Sequence, residues 1–287
     1  VNALTRLGRR WLVAALACAA PASWAQTPEG PWTLRHPAVD PVPYHGLPYS
    51  ESTGKPGTMV YPAPNLAGFL IAIAAHAAVS ESLRQAEVQK QQLAADKDLE
   101  PLRPLLEVSH AELVQLALAG LPAGSGPSGF GPPDPAATGW QVSTTPVFWF
   151  TYDRRALLLD NTIGVFAPGQ PDKPVYTVTV RVVGRARPDE DPMAAWRTGD
   201  ALKQESARLL AHSLQLALRD AARPADAEPV MRTLRFQQGH EMKLERAQPL
   251  EAGCQRQVMR TLRGWLLSAP VRSASMADCD ASELATQ

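Results

Sequence analysis

The segment from Val175 to Arg185 constrains the fold most, because Tyr176, Val178, Val180 and Val182 alternate there with Thr177, Thr179, Arg181 and Arg185. Side chains two apart share one side of a strand, so this pattern predicts a sheet with one face covered and the other wet. Upstream, Val147–Tyr152 carries Phe148, Trp149 and Phe150, turns at Asp153-Arg154 and continues as a second strand over 156–166. The proline-bounded connection over 168–174 then predicts an antiparallel meander. A cover for the sheet follows at 200–222, where Leu202, Leu209, Leu210 and Ala217 recur at helical spacing. Beyond it, 233–237 and 241–246 read as a hairpin around Gly239, with Leu234, Phe236, Met242 and Leu244 expected inside. The segment 255–267 admits two readings. As a strand it mixes charge with apolar groups; as a helix it gathers Val258, Met259, Leu262, Trp265 and Leu266 on one arc, so a helix is expected.

The N-terminal half is organised differently. Nine prolines fall between Pro28 and Pro64, with Tyr44, Tyr49 and Tyr61 among them. Proline removes backbone donors, so an extended strap is expected, and its aromatics suit docking on an apolar surface rather than free movement. Asn65 is placed to cap a helix running to about Asp96, apolar through Leu66 to Val79 and hydrophilic from Glu81 onward. Its apolar run is short for a membrane span of about 30 Å and suits a core helix, with membrane insertion as the alternative. Ser109 and Glu112 form an S-x-x-E capping box for a second helix that Gly120 ends. The Gly- and Pro-rich residues 123–146 read as a loop dividing a helical part from a strand-rich part. The expected organisation is a secretory leader over 1–25, a Pro-rich arm over 26–64, a helical region over 65–122, that loop, and an α+β region over 147–287 with a C-terminal helix and tail. The expected fold class is α+β: a mostly antiparallel sheet covered by helices, with a helical N-terminal part and an extended Pro-rich arm.

Arg6, Arg9 and Arg10 precede the apolar run Trp11–Ala20, and Ser23-Trp24-Ala25 supplies the small residues a signal peptidase reads. A secretory leader with a mature start at Gln26 is the expectation. Val1 fits a GUG start translated literally, which points to a bacterial gene. Cys18 raises lipidation, although Leu16 sits one place too close to it for the usual order. Removing the leader takes three arginines and no acid, leaving 25 basic against 28 acidic groups and a formal net charge of −3. That balance argues against nucleic acid, which rewards a basic excess through counterion release. Cys254 and Cys279 form an even pair in an oxidising compartment and read as one disulfide, worth about 3 kcal/mol for a loop of that size.

Local catalytic spacings are missing. The sequence has no phosphate-cradling glycine loop and no G-x-S-x-G elbow. His240-Glu241 opens like a zinc-protease helix but has Leu244 where the second imidazole belongs. His110-Ala111-Glu112 resembles half a zinc-deaminase motif without its cysteines, and capping accounts for Glu112. His76 and His212 read as core or boundary histidines, and Asp153, Asp160 and Asp189-Glu190-Asp191 as turn and helix-entry residues. No cofactor or metal is expected.

The most suggestive constellation is cationic. Arg256, Arg260 and Arg263 recur at i, i+4 and i+7 on the expected last helix, a stripe suited to gripping anions, with Arg232, Arg235 and Arg246 of the hairpin as an extension. The competing reading is a solvated face paired with Glu241, Glu245 or Glu251. The leading expectation is a non-catalytic protein exported to the periplasm or beyond, an interaction scaffold whose partner is an envelope protein or an anionic cell-envelope polymer. Peripheral membrane contact is a further expectation. The alternatives are an exported hydrolase with a site assembled from distant residues and a protein that inserts the helix over 66–79 into a membrane.

Overall fold

A computed structural model of the chain describes residues 31–35, 40–48, 80–121, 126–134, 138–188, 190–223 and 229–271, with residues 80–87 traced as backbone. The expected leader, the apolar helix start over 66–79, His76 and Cys279 lie outside the described residues. The described chain forms a ten-stranded, mostly antiparallel sheet with helices packed on it.

Three long strands make the first half of the sheet: β4 (Trp140–Phe150), β5 (Leu157–Phe166) and β6 (Tyr176–Val183). They pair antiparallel as expected, Phe148 opposite Leu159 and Leu159 opposite Val182. After β6 the chain forms two helices, α4 (Pro192–Arg197) and α5 (Ala201–Ala221). It then returns as a second meander, β7 (Arg232–Gln238), β8 (Glu241–Ala252), β9 (Arg256–Thr261) and β10 (Leu266–Pro270). β10 runs parallel to β6, so the two meanders join there and α5 covers the crossover.

The segment expected to be the C-terminal helix is therefore a hairpin. Gly264, with φ +79, makes its turn, and Leu266 pairs with both Val180 and Arg260. Local periodicity favoured a helix, but a strand lets β10 fill a buried position between β6 and β9, where Leu266 to Pro270 are all buried. Tertiary pairing outweighed the periodicity.

The N-terminal arm contributes strands of its own. β1 (Trp32–Arg35) and β2 (Tyr44–Gly46) lie parallel to opposite ends of β4, and β3 (Gly129–Gly131) pairs with β1. The region expected to be a dividing loop thus holds β3 and the start of β4. Tyr44 anchors the arm: its ring stacks on Phe148 at 4.9 Å, and its hydroxyl donates to Ser206 of α5 at 2.9 Å. Burial pushes that phenol up to about 12, against the opposing effect of the Ser206 hydrogen bond. The helices α1 (Ser80–Lys97), α2 (Arg103–Leu106, after a 3₁₀ turn at Glu100–Leu102) and α3 (His110–Ala119) complete this side. Ser109 caps α3 as expected, its hydroxyl accepting from the Glu112 N–H at 3.2 Å, while the Glu112 carboxylate reaches Lys203 of α5 at 2.7 Å.

Each face of the sheet has a core. The larger lies beneath the helices and holds Leu34, Phe148, Leu159, Ile163, Val180, Leu209 and Leu214. The smaller gathers Trp149, Leu158, Val183, Phe236, Met259 and Leu267 on the opposite face. That face was expected to be wet. Instead the β7–β8 hairpin folds across it: Phe236 is fully buried, and the hairpin tip reaches the β4–β5 turn, where Asp153 accepts the His240 N–H at 2.7 Å. Gly239 is required at that tip, because its φ is +61 and a Cβ would stand 2.5 Å from the Asp153 carboxylate. Arg181, expected in solvent, is consequently buried and paired in bidentate fashion with Asp160 across the β5–β6 ladder, at 2.6 and 2.5 Å. The hairpin turns Leu234 and Phe236 inward as expected. Met242 and Leu244 pair with Gln237 and Arg235, whose side chains alternate to the other face, so both are exposed rather than inside.

Candidate functional site

The three arginines of the expected stripe do not share a helix. Arg256 and Arg260 share one face of β9 with Val258, which belongs to the helix-side core, so both lie beneath α5; exposed Arg263 belongs to the β9–β10 turn. Arg260 donates to Asp220 of α5 at 2.6 Å, and the Tyr176 hydroxyl donates to the second oxygen of that carboxylate at 2.5 Å. Arg219 and Arg223 pair nearby with Glu251 at 3.4 and 3.1 Å. Arg260 is thereby neutralised, and the Tyr176 phenol is held well above its usual range by burial and by the Asp220 carboxylate.

Arg256 has a different set of partners. Its Nη2 donates to the Val183 and Ser268 carbonyls at 2.8 and 2.9 Å, and its Nε donates to the Ser268 hydroxyl at 3.2 Å. Its Nη1 is buried with no acceptor among the described residues. The guanidinium is pushed down to about 10, chiefly by burial and then by repulsion from Arg208 and Arg185, with Glu205 acting in the opposite direction. Glu205 is already engaged by Arg208 at 2.8 and 2.6 Å. Arg256 thus feels two other guanidinium groups and one carboxylate, and its own hydrogen-bond acceptors among the described residues are all neutral.

His212 of α5 joins this cluster to a surface groove. Its Nε2 lies 2.9 Å from the Ser268 hydroxyl. The Ser268 oxygen accepts from Arg256 and shares one further hydrogen bond with the imidazole, whose direction follows the ring tautomer. Burial, followed by repulsion from Arg256, Arg208 and Arg219, pushes His212 down to about 4, so the ring is neutral near pH 7. His212 and Arg208 also line a groove of about 340 Å³ between α3 and α5, floored by Leu116, Ala117, Ala207 and Ala211.

A hydroxyl within reach of an imidazole is the first element of a nucleophile and base pair. Here Ser268 is fully buried on β10, and no carboxylate contacts the His212 ring among the described residues. Asp153, Asp160 and Asp191, singled out in the sequence, have structural partners, while Asp189 lies outside the described residues. Asp153 ties Thr151, Arg155 and His240 together at the β4–β5 turn, Asp160 holds Arg181, and Asp191 caps α4. His110 is buried at the start of α3, stacked on Phe130 at 6.1 Å. No group of three or more metal-ligating side chains occurs among the described residues. Cys254 lies between β8 and β9, while its expected partner is outside the described residues.

Sequence reasoning selected Arg256 but missed Arg208, Glu205 and Ser268, which come from two other elements and share no spacing with it. The signal that could have found them is the helix α5 itself: Glu205, Arg208 and His212 are spaced by three and four, one stripe of a helix expected to cover the sheet. No family model matches the chain, and neither a curated protein nor a solved structure does.

Proposed function

We propose that this is an exported, non-catalytic binding module of the bacterial cell envelope, centred on an anion site at Arg256. The observation that carries the reading is the partly buried guanidinium whose buried Nη1 has no acceptor, and whose bonded partners are all neutral, among the described residues. A buried charge without a counter-charge is unfavourable, and an anion supplies both the charge and the missing acceptor through short, charge-assisted hydrogen bonds. Arg208 and Arg185 add favourable potential, and phosphate- or carboxylate-rich envelope polymers are ligands of the right sign. The leader-like N-terminus supports the location, and a disulfide between Cys254 and Cys279 belongs to the same reading. Mass measurement of the secreted protein should give a chain starting at Gln26 with two fewer hydrogens than its reduced form.

Thermal unfolding of the full chain in inorganic phosphate, against sodium chloride at matched ionic strength, tests the site. Phosphate should raise the midpoint, Arg256→Gln should abolish the rise, and Arg208→Gln should weaken it. A rise that survives Arg256→Gln contradicts the reading.

A second reading rests on the 2.9 Å contact between His212 and Ser268: a hydrolase using Ser268 as nucleophile. Covalent labelling of Ser268 by a fluorophosphonate, lost in His212→Gln, would replace the first reading with this one. Insertion through the helix over 66–79 concerns residues outside those described; no described helix is long and apolar enough to cross a membrane.

A further inference from the structure

The face of the β7–β8 hairpin that points away from the smaller core has a composition that structure does not require. Alternation places Thr233, Arg235 and Gln237 of β7 and Met242, Leu244 and Arg246 of β8 on this face, in directly opposed pairs. Leu244 is 57% exposed and Met242 44% exposed, and Leu262, 64% exposed, follows the Thr261 that pairs with Ala247 and so comes beside Arg246. Arg235 and Arg246 are exposed and make no ion pair among the described residues. The acids of the hairpin are segregated from them: Glu241 and Glu245 oppose Gln238 and Leu234 on the inner face, and Glu241 is paired with Lys243. A chain with balanced charge has thus collected unpaired cations and exposed apolar side chains on one broad, two-stranded surface.

We propose that this surface contacts an anionic lipid membrane. The charge complementarity is direct, since the face presents arginines and no carboxylate, and each such cation near an anionic leaflet is worth about 1 kcal/mol, or roughly fivefold in partitioning. Met242, Leu244 and Leu262 project from a face rather than lining a groove, which suits shallow insertion between headgroups better than capture of a peptide side chain. The proposal is independent of the Arg256 site: Arg256 lies beneath α5 on β9, whereas these residues lie on the β7–β8 hairpin and make no contact with that guanidinium among the described residues.

Co-sedimentation of the full chain with vesicles of phosphatidylcholine alone, and with about a third phosphatidylglycerol, reads this contact. The anionic vesicles should bind preferentially and release the protein at high salt. Arg235→Gln with Arg246→Gln should lower binding roughly 30-fold, and Met242→Ser with Leu244→Ser about tenfold. Both changes are at exposed positions, so an unchanged urea midpoint accompanies them. Anionic-vesicle binding that matches wild type in both double variants would place membrane contact elsewhere in the chain. Absence of binding to either vesicle would leave the face to an acidic protein. Either result overturns the proposal.

Discussion

Arg256 and Arg260 are the same residue on the same face of one strand, under one helix, and they end in opposite electrostatic states. Four residues along β9 advance about 13 Å, and the eight residues from His212 to Asp220 along α5 advance about 12 Å. The strand and the helix are therefore in step, and each arginine meets a side chain of α5. At one end that side chain is a carboxylate and the pair is closed by Tyr176. At the other it is a neutral imidazole, reached through the Ser268 hydroxyl, and the guanidinium Nη1 has no acceptor among the described residues. The Asp160–Arg181 pair in the smaller core follows the first pattern. A buried arginine hydrogen-bonded to an acid is a structural element; the proposed anion site is the one whose hydrogen-bonded partners among the described residues are all neutral. This difference, rather than a count of arginines, separates scaffold from site.

The comparison can be broken most forcefully at the closed end. Arg260→Met leaves Asp220, whose side chain is 4% exposed, buried without its cation, and should destabilise by about 3 kcal/mol in urea unfolding. An effect below about 1 kcal/mol would mean that the pair is not what holds this end. An effect of similar size is expected from acid. His212 is pushed down to about 4 in the folded protein, against about 6.5 unfolded. Below pH 6.5 the unfolded chain binds the proton and the folded chain resists it. Stability should therefore fall as the pH drops from about 6.5 to about 4 and level off below, by on the order of 3 kcal/mol from this group. His212→Gln should flatten that part of the pH profile relative to wild type; an unchanged slope would remove the buried neutral imidazole from the account.

The smallest stability effect belongs to the open end. Arg256→Met removes an uncompensated charge as well as its hydrogen bonds, and these oppose each other, so a change within about 1 kcal/mol is expected. Loss of 3 kcal/mol or more would put Arg256 in the same structural class as Arg260 and sharpen the case against a site. Ser268→Ala should likewise cost about 1 kcal/mol in urea unfolding.

Much of the sheet was legible because its signals are local. The alternation from Tyr176 to Val182, the apolar run of β5, the α5 stripe and the Ser109 cap each depend on neighbours a few residues away. The errors all arose where a distant partner decides. The last segment satisfies two periods, and only the vacancy beside β6 selects the strand. Short β1 and β2 are strands because β4 pairs with them. Arg181 and Met242 exchanged expected environments because the β7–β8 hairpin folds over a face that alternation alone marks as wet. The candidate site shares this difficulty: Arg256, His212 and Ser268 lie on β9, α5 and β10, and the engagement of the nearby Glu205 by Arg208 rather than by Arg256 is a property of packing that no spacing encodes.

The central claim is that the Arg256 guanidinium takes an anion that Arg260 does not need. Anomalous scattering from crystals soaked in selenate tests it at the atom concerned. Selenate should occupy a position within hydrogen-bond distance of Arg256 Nη1, with Arg208 or Arg185 as a second contact, and leave Arg260 on Asp220. Selenate confined to exposed arginines such as Arg232, with Arg256 unchanged, would contradict the account.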